Sequence, residues 1–111
     1  MENMTHGRRW LIEDKNGRSI YLTERQWEHI VERHPEMFEH EQDLMTTIRT
    51  GQRAQDSLVP NKYFYRAVVS GLPEASTHIE AVVVFRFSTD EHGVMIPNNF
   101  VVTAYPIYMS S

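Results

Sequence analysis

At 111 residues the chain has the length of one domain, enough to bury a single core of ordinary size. A hydrophobic share of 41% argues against disorder, and the absence of cysteine excludes disulfides, thiolate metal sites and thiol nucleophiles. A formal charge of −4 counts against a polyanionic partner unless the charges are segregated.

They are segregated. Seven of the fifteen acids (Glu24, Glu28, Glu32, Glu36, Glu39, Glu41 and Asp43) fall between residues 23 and 43. From Tyr63 to Arg86 only Glu74 and Glu80 stand beside Arg66 and Arg86. This distribution allows a weakly basic sheet face opposite acidic helices, well short of a basic stripe. No apolar run approaches the roughly 18 residues of a membrane span. The N-terminus lacks the basic-then-apolar layout of a leader, so a cytoplasmic protein is expected.

In chain order, Trp10-Leu11-Ile12 begins a short strand, and the Asn16-Gly17 pair predicts a hairpin turn. Ser19 to Leu22 is the returning strand, with Ile20 and Leu22 on one face. Thr23-Glu24-Arg25-Gln26 reads as a capping box, Thr23 accepting from the helix and Gln26 reaching back. Trp27, Ile30, Val31 and His34 then recur at the spacing of one helix face, and Pro35 ends the helix at His34. A second helix is predicted from about Phe38 to Thr50, with Phe38, Leu44, Met45 and Ile48 as its apolar side and Gly51 as its cap. Strands are predicted over 53–58, 62–70, 78–88 and 98–106, with turns at Pro60-Asn61, Gly71-Leu72-Pro73 and Asp90-Glu91-His92-Gly93. Helices followed by consecutive strands imply an α+β domain. The expected form is a short hairpin and two helices packed on a four-stranded antiparallel sheet, one domain over 1–111 with its core about 20–106.

Three groups of residues carry potential chemistry. His34 ends its helix, where unpaired carbonyls attract a cation, and imidazole gives and takes protons near neutral pH. The helix pattern alone favours the plainer reading, a core histidine that hydrogen-bonds a backbone carbonyl and helps close the helix. Arg33 beside it points elsewhere, either as a surface cation or as a phosphate contact. Arg66 and Arg86 sit within apolar strands, where an arginine needs a carboxylate partner or a solvent-facing cleft, or else snorkels from the exposed face. A planar guanidinium suits a phosphate. In the last strand, alternation places Val101, Thr103 and Tyr105 on one face and Phe100, Val102 and Ala104 on the other. Thr103 and Tyr105 then share a face as hydroxyl donors, although both are also ordinary strand formers. The remaining histidines form no convincing metal set: His29 and His34 lie about 140° apart around a helix, His40 lies beyond Pro35, and His78 and His92 sit near strand ends.

The Trp-x-x-Ile-x-x-Arg-His-Pro helix of residues 27–35, the arginine-bearing strands and the closing Thr103-Ala104-Tyr105-Pro106 together resemble phage-associated nucleases. These belong to the barnase–EndoU–colicin–RelE-like group of small metal-independent ribonucleases, and the resemblance spans roughly residues 20–106. It implies His34 as the acid–base residue, Arg66 and Arg86 as phosphate clamps, and Thr103 and Tyr105 as hydroxyl contacts, with Arg33 auxiliary. It also implies transesterification of RNA without a cofactor, and a neutralising antitoxin or immunity protein as partner. The rival readings are a non-catalytic RNA- or protein-binding module of the same fold, and a regulatory protein whose acidic helices dock on a basic surface.

Overall fold

The computed structural model describes residues 7–110. The stretch Met1–His6, read above for a leader, lies outside them. The chain runs β1 (Arg8–Glu13), β2 (Ser19–Thr23), α1 (Glu24–Arg33), a 3₁₀ segment (Pro35–His40), α2 (Glu41–Thr50), β3 (Gln52–Gln55), β4 (Lys62–Val68) and β5 (His78–Val84). It ends with β6 (Phe87–Thr89), β7 (Met95–Pro97) and β8 (Phe100–Ile107). The class is α+β, but the sheet is not four-stranded and antiparallel. It is a mixed six-stranded sheet in the order β1-β2-β8-β5-β4-β3, and β6 and β7 form a separate two-stranded ribbon.

The extra strands have a physical reason. A lone hairpin is marginal in water, and the β1–β2 hairpin carries Ile20 and Leu22, both fully buried. It joins the sheet through the one parallel contact, Tyr21 opposite Phe100. The expected strand 78–88 stops at Val84, and Phe87–Thr89 pairs with Met95–Pro97 across the Asp90–Gly93 turn. No helix among the described residues is long and apolar enough to cross a membrane.

Both helices cover one face of the sheet. Thr23 caps α1 by accepting from the Gln26 N–H at 3.0 Å. The Gln26 side chain does not reach back as a capping box requires; it donates to the Val102 carbonyl and ties α1 to β8. Trp27 and Ile30 are buried against Leu44 and Ile48 of α2 and against Tyr65, Ile79, Ala81 and Ala104 of the sheet. The second helix begins later than expected because Pro35 starts the 3₁₀ segment. In that segment Met37 takes the core position and Phe38 is 69% exposed. A register shift between Val82 and Val83 pairs them with Thr103 and Val101. This bulge returns Val101 to the core, against simple alternation, while Thr103 and Tyr105 stay on the other face.

Two local contacts hold the layers in place. Gly51 caps α2 with its N–H on the Thr47 carbonyl, as expected, but its φ of −73° is not left-handed. Glycine is needed there for closeness: a β-carbon would meet the backbone oxygens of Thr47 and of Arg66, the latter at 2.7 Å. At the hairpin turn, where Gly17 has φ +83°, the buried Asp14 carboxylate accepts from the Asn16 and Arg18 N–H groups, the Arg18 guanidinium and the Tyr65 hydroxyl. Burial alone would raise the Asp14 carboxyl, but these hydrogen bonds, led by Tyr65, outweigh it and hold the group below its ordinary value.

Gly51→Ala is expected to cost about 1–3 kcal/mol, since neither backbone oxygen can move aside cheaply; urea unfolding measures it. Asp14 binds its proton less readily folded than unfolded. Its contribution is therefore complete above the ordinary value of 3.8 and is lost as pH falls below it. Urea midpoints at about pH 7 and about pH 3 should show Asp14→Asn less stable at neutrality and less sensitive to acid than the parent. An equal acid loss in both proteins would refute that role for Asp14.

Candidate functional site

The site is built on the sheet face opposite the helices. In antiparallel strands, residues directly opposite share a face. Arg66 of β4 stands opposite Glu80 of β5, and Glu80 stands opposite Tyr105 of β8. The side chains meet as this register dictates. The Arg66 Nε donates to Glu80 Oε1 at 2.6 Å, and the Tyr105 hydroxyl donates to Glu80 Oε2 at 2.5 Å. Glu80 is 7% exposed, whereas Arg66 and Tyr105 are partly open to solvent.

His34 reaches this group from the end of α1. Its N–H donates to the Ile30 carbonyl at 2.7 Å, its own carbonyl accepts from Met37, and its φ of −134° and ψ of 77° turn the chain out of the helix. The half-buried ring lies 5.4 Å from the Tyr105 ring, tilted by 47°. Tyr105 thus touches the imidazole with its ring and the carboxylate with its hydroxyl. Burial first, and then the hydrogen bond to Glu80, push that hydroxyl up to about 12. It remains a protonated donor throughout the neutral range.

Of the residues read from the sequence, His34, Arg66 and Tyr105 are brought together. Thr103 lies two positions before Tyr105 on the same face, opposite Val82. Arg86 does not join them. It follows the end of β5, is exposed, and lies 5.3 Å over the Phe100 ring, at the other end of β8. The break after Val84 carries it away, so a shared clamp with Arg66 is not formed. Arg33 is exposed and makes no ion pair among the described residues. The group lies on an open face rather than in a cleft between helix and sheet, with a shallow hollow of about 350 Å³ beside Arg66 lined also by Gln52, Val68 and His78.

Glu80 is the site residue that the sequence reading missed. The signal was present: an arginine inside an apolar strand needs a carboxylate, and Glu80 is the acid embedded in the neighbouring apolar run Ile79–Val84. Among the described residues no three His, Asp or Glu side chains converge as a metal-binding group. A carboxylate, an imidazole, a guanidinium and two hydroxyls on one open face can accept a proton, deliver one and hold an anion. No protein-family model matches the chain, and no curated protein matches its sequence.

Alkaline titration of the tyrosine absorbance, compared between the parent and Tyr105→Phe, should isolate one tyrosine ionising near pH 12. In Glu80→Gln that tyrosine should ionise earlier, yet still above an ordinary tyrosine, because burial is the largest single cause of the shift. Ionisation at the ordinary value in the parent would mean that Tyr105 does not hold Glu80.

Proposed function

We propose that the protein is a metal-independent endoribonuclease, toxin-like in type, acting through His34, Glu80, Arg66, Tyr105 and Thr103. The observation that carries this reading is the juxtaposition of His34 with the Glu80–Arg66 pair through one tyrosine, on a face open to a polymer. Cleavage of RNA by its own 2′-hydroxyl needs a base, an acid and charge stabilisation at phosphorus, and these side chains supply that set.

Glu80 takes the proton of the 2′-hydroxyl as its oxygen bonds to phosphorus. The bond from phosphorus to the 5′-oxygen breaks, and that oxygen receives a proton from the His34 imidazolium. The products are a 2′,3′-cyclic phosphate and a free 5′-hydroxyl. Arg66 on β4 and Thr103 on β8, two strands apart on the same face, stabilise charge on the non-bridging oxygens, and Tyr105 orients both proton-transfer groups. A neutralising protein covering this face would be the expected partner.

A second reading has its own support. Glu80 already holds both Arg66 and Tyr105, a set of hydrogen bonds that is complete without substrate. Such a set also suits a non-catalytic RNA- or protein-binding module of the same fold.

Incubation with RNA in excess chelator separates the two. The expected result is fragments ending in 2′,3′-cyclic phosphate, no cleavage of DNA, and a rate loss on the order of 10²–10⁴ for His34→Ala and for Glu80→Gln. Activity that needs added magnesium or manganese, or a folded His34→Ala with the parental rate, would overturn the assignment.

A further inference from the structure

The open face does not end at Tyr105. From Tyr105 back to Phe100, β8 runs five residues, roughly 16 Å at about 3.3 Å per residue. Phe100 pairs with Val84 of β5 and with Tyr21 of β2, and the Tyr21 and Phe100 ring centroids are 5.9 Å apart. Ile20 and Leu22 face the core, so Tyr21 between them faces outward with Phe100. Between this aromatic pair and Tyr105 lie Thr103, Val82 and Phe64, in one cross-strand row.

Guanidinium groups flank the rings. Arg86 lies 5.3 Å over Phe100, Arg8 lies 4.1 Å over Tyr21, and Arg66 lies 5.2 Å from Phe64. Arg8 and Arg86 are exposed, so exchanging a ring contact for a phosphate costs them little. Arg86 makes no ion pair among the described residues. The side chains that β4, β5 and β8 place on this face include one carboxylate, Glu80, and it is already paired. The acids of residues 24–43 belong to the helical layer behind the sheet.

We propose that this face is a binding track for unpaired RNA, leading from the Glu80–Tyr105 group along β8 to the Tyr21–Phe100 pair and Arg86. The inference rests on the reading of that group as RNA-cleaving and names the form of its substrate. Aromatic faces with cations beside them stack exposed bases while holding the backbone, and every base has a face to stack. An A-form duplex keeps its base faces inside the helix and has nothing to offer these rings. The track is therefore selective for single strands and tolerant of sequence.

The test uses uncleavable 2′-O-methyl oligonucleotides, from about 2 to about 12 nucleotides long, single-stranded or as a hairpin duplex. Binding is read by fluorescence anisotropy at two salt concentrations, and cleavage of a dinucleotide is measured with the same proteins. Affinity should rise with single-strand length, fall with salt, and exceed that for the duplex. Phe100→Ala should lower it by about 5- to 100-fold, the equivalent of one base–aromatic stack. Arg86→Glu, at an exposed position that does not threaten folding, should lower it and reduce the salt dependence. Dinucleotide cleavage should be unchanged in both variants. Parental affinity in Arg86→Glu, or duplex bound as tightly as single strand, would overturn the track whatever the cleavage result. Length-dependent binding that Arg86→Glu weakens, in a protein that cleaves no RNA, would leave the track standing and remove the catalytic reading.

Discussion

A carboxylate on the central strand of a sheet, almost wholly withdrawn from water, needs donors from its neighbours. Glu80 finds one on each side: Arg66 on β4 and Tyr105 on β8. An unpaired charge at that depth would cost several kcal/mol, so the register of the three strands and the satisfaction of Glu80 specify each other. A slip of one residue would turn Arg66 or Tyr105 to the core face and leave Glu80 alone. His34 enters through the same constraint, because it meets the ring of the tyrosine that Glu80 holds in place.

The arrangement joins structural and chemical demands in one group. Arg66 is about one-third exposed, so its ion pair with Glu80 is partly screened and adds modestly to stability. What it chiefly supplies is orientation. In the proposed reaction, a base, a cation and a hydroxyl held in advance would need no reorganisation when charge develops, which is how preorganised sites lower barriers. The segregation of charge acts at longer range. Acidic helices lie on one side and the arginine-flanked sheet face on the other, so the net negative charge is not spread evenly, as the proposed RNA partner would require.

The N-terminal hairpin is fastened at two distant points. Tyr21 opposite Phe100 makes the parallel contact in the sheet's interior. Asp14 at the turn accepts the Tyr65 hydroxyl from β4, and burial and this bond hold that hydroxyl well above the ordinary tyrosine range. Between the two points Ile20 and Leu22 seal the core beneath α1 and α2. The hairpin thereby extends the open face as well as the core, since Tyr21 rides on the strand whose other side is buried.

Local patterns in the sequence determined much of this. Thr23 before a helical repeat, Pro35 after His34 and the Asn16-Gly17 turn each act through contacts within a few residues, and the structure has the cap, the helix end and the turn at those positions. The α+β class and the shared face of Thr103 and Tyr105 follow from periodicity alone. Tertiary structure decided what depends on distant partners. The β2–β8 pairing, the bulge that returns Val101 to the core, and the exposure of Phe38 in favour of Met37 have no local signature. The sequence held Arg66 and Glu80 as two unsatisfied charges in apolar strands, and only strand register made them one pair. The same register and the strand break after Val84 parted Arg86 from them, because residues close in composition and strand type meet only where the backbone ladder sets them opposite.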